Sequence, residues 1–244
     1  MNQRERLIAA AVFYEGNWNR IKEALIKKEE FTNTSAQNCI TIYDEEYPAC
    51  LKELKYPPFV LFYKGDIGLL KKPMITIVGS RELSPYGKQV TEAASRILAK
   101  KYVIVSGLAK GADGSAHAMA LRYGKTVGVI GSGLGTRYPA VNIPLYKEME
   151  QRGLIVSEYP YHTGVRREHF PWRNRILAAL SARVIVTGAR LRSGTMLTVN
   201  EALELGRDVY CFPYPFGEES GMGCDRLILE GAGILYTEDQ LYEL

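Results

Sequence analysis

Pro73-Met74-Ile75-Thr76-Ile77-Val78-Gly79-Ser80-Arg81 decides the fold. A run of five residues, apolar at all but one, ends in a glycine-bearing turn, and a helical stretch with a start signal at Ser84-Pro85 comes next. The same sequence of run, turn and amphipathic helix recurs. Its runs are Val103 to Val105, Val127 to Ile130, Leu154 to Val156, Val184 to Val186 and Val209 to Phe212, and Asn142 ahead of Pro144 marks another helix start. Runs that are continuously apolar suit strands buried on both faces, and strands joined through helices must run parallel. The expectation is a doubly wound α/β domain with a mostly parallel, extended Rossmann-like sheet over residues 71–244. Before it, helical periodicity (Leu7, Ile8, Ala11, Val12, then Ile21, Ala24, Leu25) breaks at Gly16 and gives way to a polar stretch, Thr32 to Asn38. A proline-rich link then carries the β-like Phe59 to Tyr63. Residues 1–70 are therefore expected to be a short helical lead-in and linker, with a boundary near Leu70.

The 244 residues are 46% hydrophobic and 24% charged, which excludes disordered, collagen-like and coiled-coil classes. No apolar run nears the roughly 18 residues of a membrane span, and the N-terminal stretch does not read as a secretory signal. Cys39, Cys50, Cys211 and Cys224 lie far apart, so reduced thiols and a cytoplasmic location are expected. The net charge of +4 is small, but its distribution is uneven. His162 to Arg192 holds seven arginines against Glu168 alone, a local charge of +6; Gly217 to the end carries −6. Arginine binds phosphate bidentately and stacks on bases, whereas a solvated face is the competing reading.

In such a sheet, ligands bind beyond the carboxyl ends of the strands. The loops there are Gly79-Ser80-Arg81, the stretch from Ser106-Gly107 through Lys110 to Asp113, Gly131 to Gly135, Glu158 to His169, and Arg190 to Thr195 with Arg192, Ser193 and Gly194. Glycines that admit close backbone approach, serine hydroxyls and arginine forks together describe a phosphate-binding rim. Thr136 replaces the third glycine of a dinucleotide fingerprint. Gly124-Lys125-Thr126 precedes a strand instead of opening a helix, so neither NAD nor ATP is favoured and no cofactor is expected. Tyr159, Tyr161, Phe170 and Trp172 interleave with the arginines, as in single-strand binders that stack bases beside a basic groove; core packing of Phe170 and Trp172 is the alternative. His117, His162 and His169 lack zinc spacing, and no G-x-S-x-G elbow exists.

The series Ile77-Val78-Gly79-Ser80-Arg81, Ser106-Gly107-x-Ala109-x-Gly111-x-Asp113-x-x-Ala116-His117, Tyr138-Pro139-x-x-Asn142, Ser157-Glu158-Tyr159-Pro160, Phe170-Pro171-x-Arg173-Asn174-Arg175 and Ser193-Gly194 resembles the DNA-processing protein A (DprA/Smf) family. The resemblance runs in order from about Asp44 to Gly231. It implies a cytoplasmic, non-enzymatic protein that binds single-stranded DNA, protects incoming strands during natural transformation, loads the RecA recombinase and forms homodimers. It also implies a DNA pocket lined by Arg81, Ser106, Gly107, Phe170, Arg173, Asn174 and Arg175. Gly188, Ala112 and Cys224-Asp225 depart from the family's pattern and bear on the pocket's far wall, and the winged-helix C-terminal module of many relatives is not expected. The acidic C-terminal segment is expected to face a protein partner. The alternative is an enzyme of the nucleotide phosphoribohydrolase type, whose signature places a glutamate where Thr198 stands here.

Overall fold

The computed structural model describes residues 1–32 and 37–244. Residues 33–36, within the polar stretch expected from Thr32 to Asn38, lie outside the described residues. The strands are β1 (Cys39–Thr41), β2 (Val60–Gly65), β3 (Met74–Val78), β4 (Val103–Ser106), β5 (Thr126–Ile130), β6 (Leu154–Ser157), β7 (Arg183–Val186), β8 (Asp208–Cys211) and β9 (Gly233–Ile234). They form a sheet in the order β1-β2-β6-β5-β4-β3-β7-β8-β9. From β6 to β9 every pairing is parallel, whereas β1 and β2 pair antiparallel and β2 joins β6 antiparallel. The expected mostly parallel α/β sheet is present.

The helices are α1 (Gln3–Phe13), α2 (Trp18–Lys27), α3 (Pro85–Leu98), α4 (Ala112–Tyr123), α5 (Ile143–Arg152), α6 (His169–Ala179), α7 (Gly194–Glu204), α8 (Met222–Leu229) and α9 (Glu238–Glu243). Strand alternation divides the core between the two faces. Val103, Val105, Val184 and Val186 pack with Ile176 and Leu177 of α6, Val199 of α7 and Leu227 of α8. Ile75, Ile77, Ile104 and Ile185 pack with Val90, Ala94 and Ile97 of α3, Ala116 and Ala120 of α4 and Leu241 of α9. A third cluster joins Leu7, Ala11 and Ile21 of α1 and α2 to Phe62, Ile155 and Met149. Helices on both faces explain why the strands read as unbroken apolar runs.

The sheet crosses the boundary expected near Leu70. Tyr63 and Phe62 pair with Val156 and Ser157, so the end of the proline-rich link supplies β2 to the same sheet, and β1, from the segment before the link, pairs with β2 as the edge strand. The start signal at Ser84 acts as expected, its side chain accepting a bond from the Gly87 amide. Asn142 works differently. Its Nδ2 donates to the Leu108 and Ala109 carbonyls, 3.0 and 2.9 Å away, and pins the loop after β4 instead of capping α5.

Candidate nucleic-acid interface

Parallel order reverses between β3 and β7, because β4 lies on one side of β3 and β7 on the other. Loops leaving these two strands diverge to opposite faces and leave a crevice at their carboxyl ends. A groove of about 880 Å³ occupies this place, between residues 78–82 after β3, residues 190–198 after β7, and the start of α6. It gathers Gly79, Ser80, Arg81, Phe170, Arg173, Asn174, Arg192, Ser193 and Gly194 of the expected site, and adds Arg167, Arg190 and Tyr138. A much smaller depression beside it shares Arg81 and Phe170 and holds Gly107 and Lys110.

The residues differ in what they can offer a ligand. Arg81, Arg167, Arg190 and Arg192 are exposed, as is Lys110. The Arg81 guanidinium lies 5.6 Å from the centroid of the Phe170 ring, which is tilted against Tyr138 at 5.9 Å. Phe170 is half-buried and lines both depressions, so it belongs to the groove wall and not to the core. Arg190 faces Glu82 at 3.7 Å in an exposed pair. At the start of α7, Ser193 is extended, its side chain makes no cap bond, and its buried Oγ has no hydrogen-bond partner among the described residues. An uncapped helix start with a serine hydroxyl and the Arg192 fork beside it suits an anion.

Arg173 forms the floor. It is 5% exposed, and its Nη1 donates to the carbonyls of Gly107, at 2.8 Å, and Val129. Burial pushes its pKa down, and the Asp113 carboxylate opposes that shift. The same burial raises the Asp113 pKa against the pull of Arg173. Gly107 is required by this pair. A Cβ there would fall 2.6 Å from both Arg173 Nη2 and Asp113 Oδ2.

Two expected residues have other duties. Ser106 is fully buried and donates to the Ile77 carbonyl at 2.7 Å, which locks β4 to β3 beneath the groove. Arg175 is 3% exposed and bridges three segments: Nε donates to the Tyr56 carbonyl, Nη1 to the Trp172 carbonyl, and Nη2 to Glu158 at 2.6 Å. Its guanidinium also covers the Trp172 ring at 4.2 Å. Of the other arginines in the basic stretch, Arg166 pairs with Glu15, and Arg183 sits at the amino end of β7, bonded to the Leu244 carbonyl. Sequence reasoning missed Tyr138 as a wall residue, although it had marked Tyr138-Pro139 as part of a pattern.

Among the described residues no helix is long and apolar enough to cross a membrane, and no group of three or more His, Cys, Asp or Glu residues could hold a metal ion.

Known proteins resemble the chain over most of its length. The DNA processing protein DprA of Streptococcus pneumoniae is 42% identical over 237 residues, which is 96% of this chain and 82% of that protein. The X-ray structure of the S. pneumoniae protein superposes with a TM-score of 0.83 at 39% identity, covering 92% of this chain and 80% of that one. DNA processing protein A from Helicobacter pylori, whose structure was described for its single-stranded DNA binding mode, superposes at 0.78 with 33% identity over 85% of this chain and 95% of that one. Residues 38–244, which hold every strand and the whole groove, match the family described as DNA recombination-mediator protein A. With this match over most of the chain and the fold shared with the S. pneumoniae protein, the chain belongs to that family.

Proposed function

We propose that the chain is a single-stranded DNA-binding recombination mediator that protects incoming DNA and loads RecA during natural transformation, acting as a cytoplasmic homodimer and catalysing no reaction. The observation that carries the reading is the groove at the β3–β7 switch point. Four exposed arginines line it beside the Arg81–Phe170–Tyr138 cluster, so phosphates and bases both find partners in one place. The H. pylori relative is described as binding single-stranded DNA, and it shares this fold over most of both chains. Thr198 lines the groove at the position where phosphoribohydrolases carry a glutamate, which favours binding over glycosidic cleavage.

Self-association is supported by the surface around α8 and α9, where Leu229 is 86% exposed and Tyr236 72%. Exposed apolar groups of this size suit a protein contact, whereas the acidic residues of the same segment suit a separate partner with a basic surface. Fluorescence anisotropy of a labelled oligo-dT, with duplex and nucleoside monophosphate as competitors, tests the binding step. Tight, salt-sensitive binding that monophosphate does not displace is the expected result, and easy displacement by a mononucleotide would refute it. RecA filament formation on strands coated with a single-strand binding protein, with and without this chain, then tests loading.

A further inference from the structure

On the far side of the ridge that bounds the groove lies a second cavity, of about 500 Å³. It opens between the α1–α2 turn and the start of α6. The ridge itself, residues 165–172, lines both: Arg167, Phe170 and Pro171 line the groove, whereas Arg166, Glu168, His169 and Trp172 line the cavity. A strand leaving the groove has only this ridge to cross.

The two hollows differ in chemistry. Arginines far outnumber carboxylates in the groove, which suits phosphate. In the cavity Arg20 and Arg166 are balanced by Glu15 and Glu168, while Phe13, Tyr14, Trp18, Tyr159, His169 and Trp172 supply six rings. A charge-balanced, ring-lined hollow does not attract a backbone; it suits the flat, uncharged part of a nucleotide, with the side-chain amides of Asn17 and Asn19 able to meet base edges. Its rings are held in place. Trp18 stacks on Phe59 at 5.0 Å and donates Nε1 to the Pro57 carbonyl, and His169 stacks on Tyr159 at 3.8 Å with its Nδ1 against the Gly131 carbonyl. Phe13 stands at the mouth, 69% exposed, edge-on to Tyr14.

We infer that this cavity is a second nucleobase subsite, which takes an unpaired base from the same strand whose phosphates occupy the groove. The inference rests on the single-strand reading of the groove. The ridge is one turn and helix start wide, about 10–12 Å, which a few nucleotides of an unpaired strand cross. The Arg166–Glu15 ion pair spans the ridge and the α1–α2 turn, with both side chains about half exposed. A crossing phosphate takes the place of Glu15 as the partner of Arg166.

Trp18 and Trp172 are the chain's two tryptophans, and both line the cavity, so intrinsic emission reports on it. Labelled dT4 and dT12 are titrated while anisotropy and tryptophan emission are read together. Both oligomers are expected to raise the anisotropy, but only dT12 quenches the emission. Phe13→Ala, at an exposed position, is expected to weaken dT12 about tenfold, as loss of one base stack does, and to leave dT4 unchanged. Glu15→Gln is expected to tighten dT12 alone. Bound dT12 with unaltered emission, or equal responses of the two oligomers to both substitutions, would overturn the subsite and leave the groove reading intact. Absence of any anisotropy change with dT12 would instead overturn the groove reading and the subsite with it.

Discussion

If the groove binds a single strand as proposed, replacing Arg81 by alanine should change how binding responds to salt more than it changes the protein. Four exposed arginines, Arg81, Arg167, Arg190 and Arg192, line the groove, and each one placed on a phosphate releases counterions worth about 0.7 in the log–log salt slope of a single strand. The intact groove is therefore expected to give a slope of about −2.8, and the Arg81→Ala variant about −2.1. Between 50 and 200 mM salt the first loses roughly fiftyfold in affinity and the second roughly twentyfold. Stability should hardly move, since the guanidinium is exposed and its contact with Phe170 is of the kind worth about 0.5–1 kcal/mol at the surface. The assay is anisotropy of a labelled oligo-dT at four salt concentrations, with Arg81→Lys as a variant that keeps the charge and the slope. An Arg81→Ala protein whose affinity still falls fiftyfold would refute the assignment of Arg81 to a phosphate.

Arg175→Ala should act through stability instead. It leaves Glu158 buried and unpaired at a cost of about 3–5 kcal/mol, read as a lowered thermal midpoint, and adding Glu158→Gln should recover part of the loss. Gly107→Ala should cost about 1–3 kcal/mol in urea denaturation, because the new methyl overlaps Arg173 and Asp113; a wild-type midpoint would show that the floor yields freely. His117 is fully buried, with Nδ1 2.6 Å from Thr126 Oγ1, and burial holds its pKa down to about 3. The unfolded chain takes up this proton below about pH 6.5 while the folded protein refuses it until about pH 3, so stability should fall through that window as the pH drops. The loss should reach about 2 kcal/mol at pH 5 and be absent above about pH 7.5. An equal pH dependence in His117→Gln would count against His117 as its source.

The six apolar runs of the core were legible to within a residue of β3 to β8, because burial on both faces writes itself into consecutive positions. Strand β1 was not, and β2 showed only as the β-like Phe59 to Tyr63 inside a linker. β2 takes its place through β6, almost a hundred residues away, and β1 only through β2, while nothing local to Phe59–Tyr63 distinguishes an extended linker from a strand of the sheet. Similarly, the strand-end loops announced a basic rim, but which arginines reach it depends on tertiary partners. Arg173 and Arg175 stand two residues apart on α6, and one becomes the groove's floor while the other turns to Glu158, Tyr56 and Trp172. Arg183 belongs to the same basic stretch in sequence but lies at the other end of its strand from the groove. Charge counting sees a segment, whereas exposure and direction are set by the fold.

The junction of β3 with β7 also dictates when the chain becomes competent. Thr76 pairs with Val184, about a hundred residues later, and loop closure over that span comes late because non-local contacts return their stabilisation only after the chain has been ordered. On the ribosome, the strands β3 to β6 can assemble as each emerges, but one wall of the groove is still missing until the β7–α7 segment has left the tunnel. The groove thus arrives with the closing of the sheet, and on the proposed reading a half-made chain has nothing with which to capture nucleic acid.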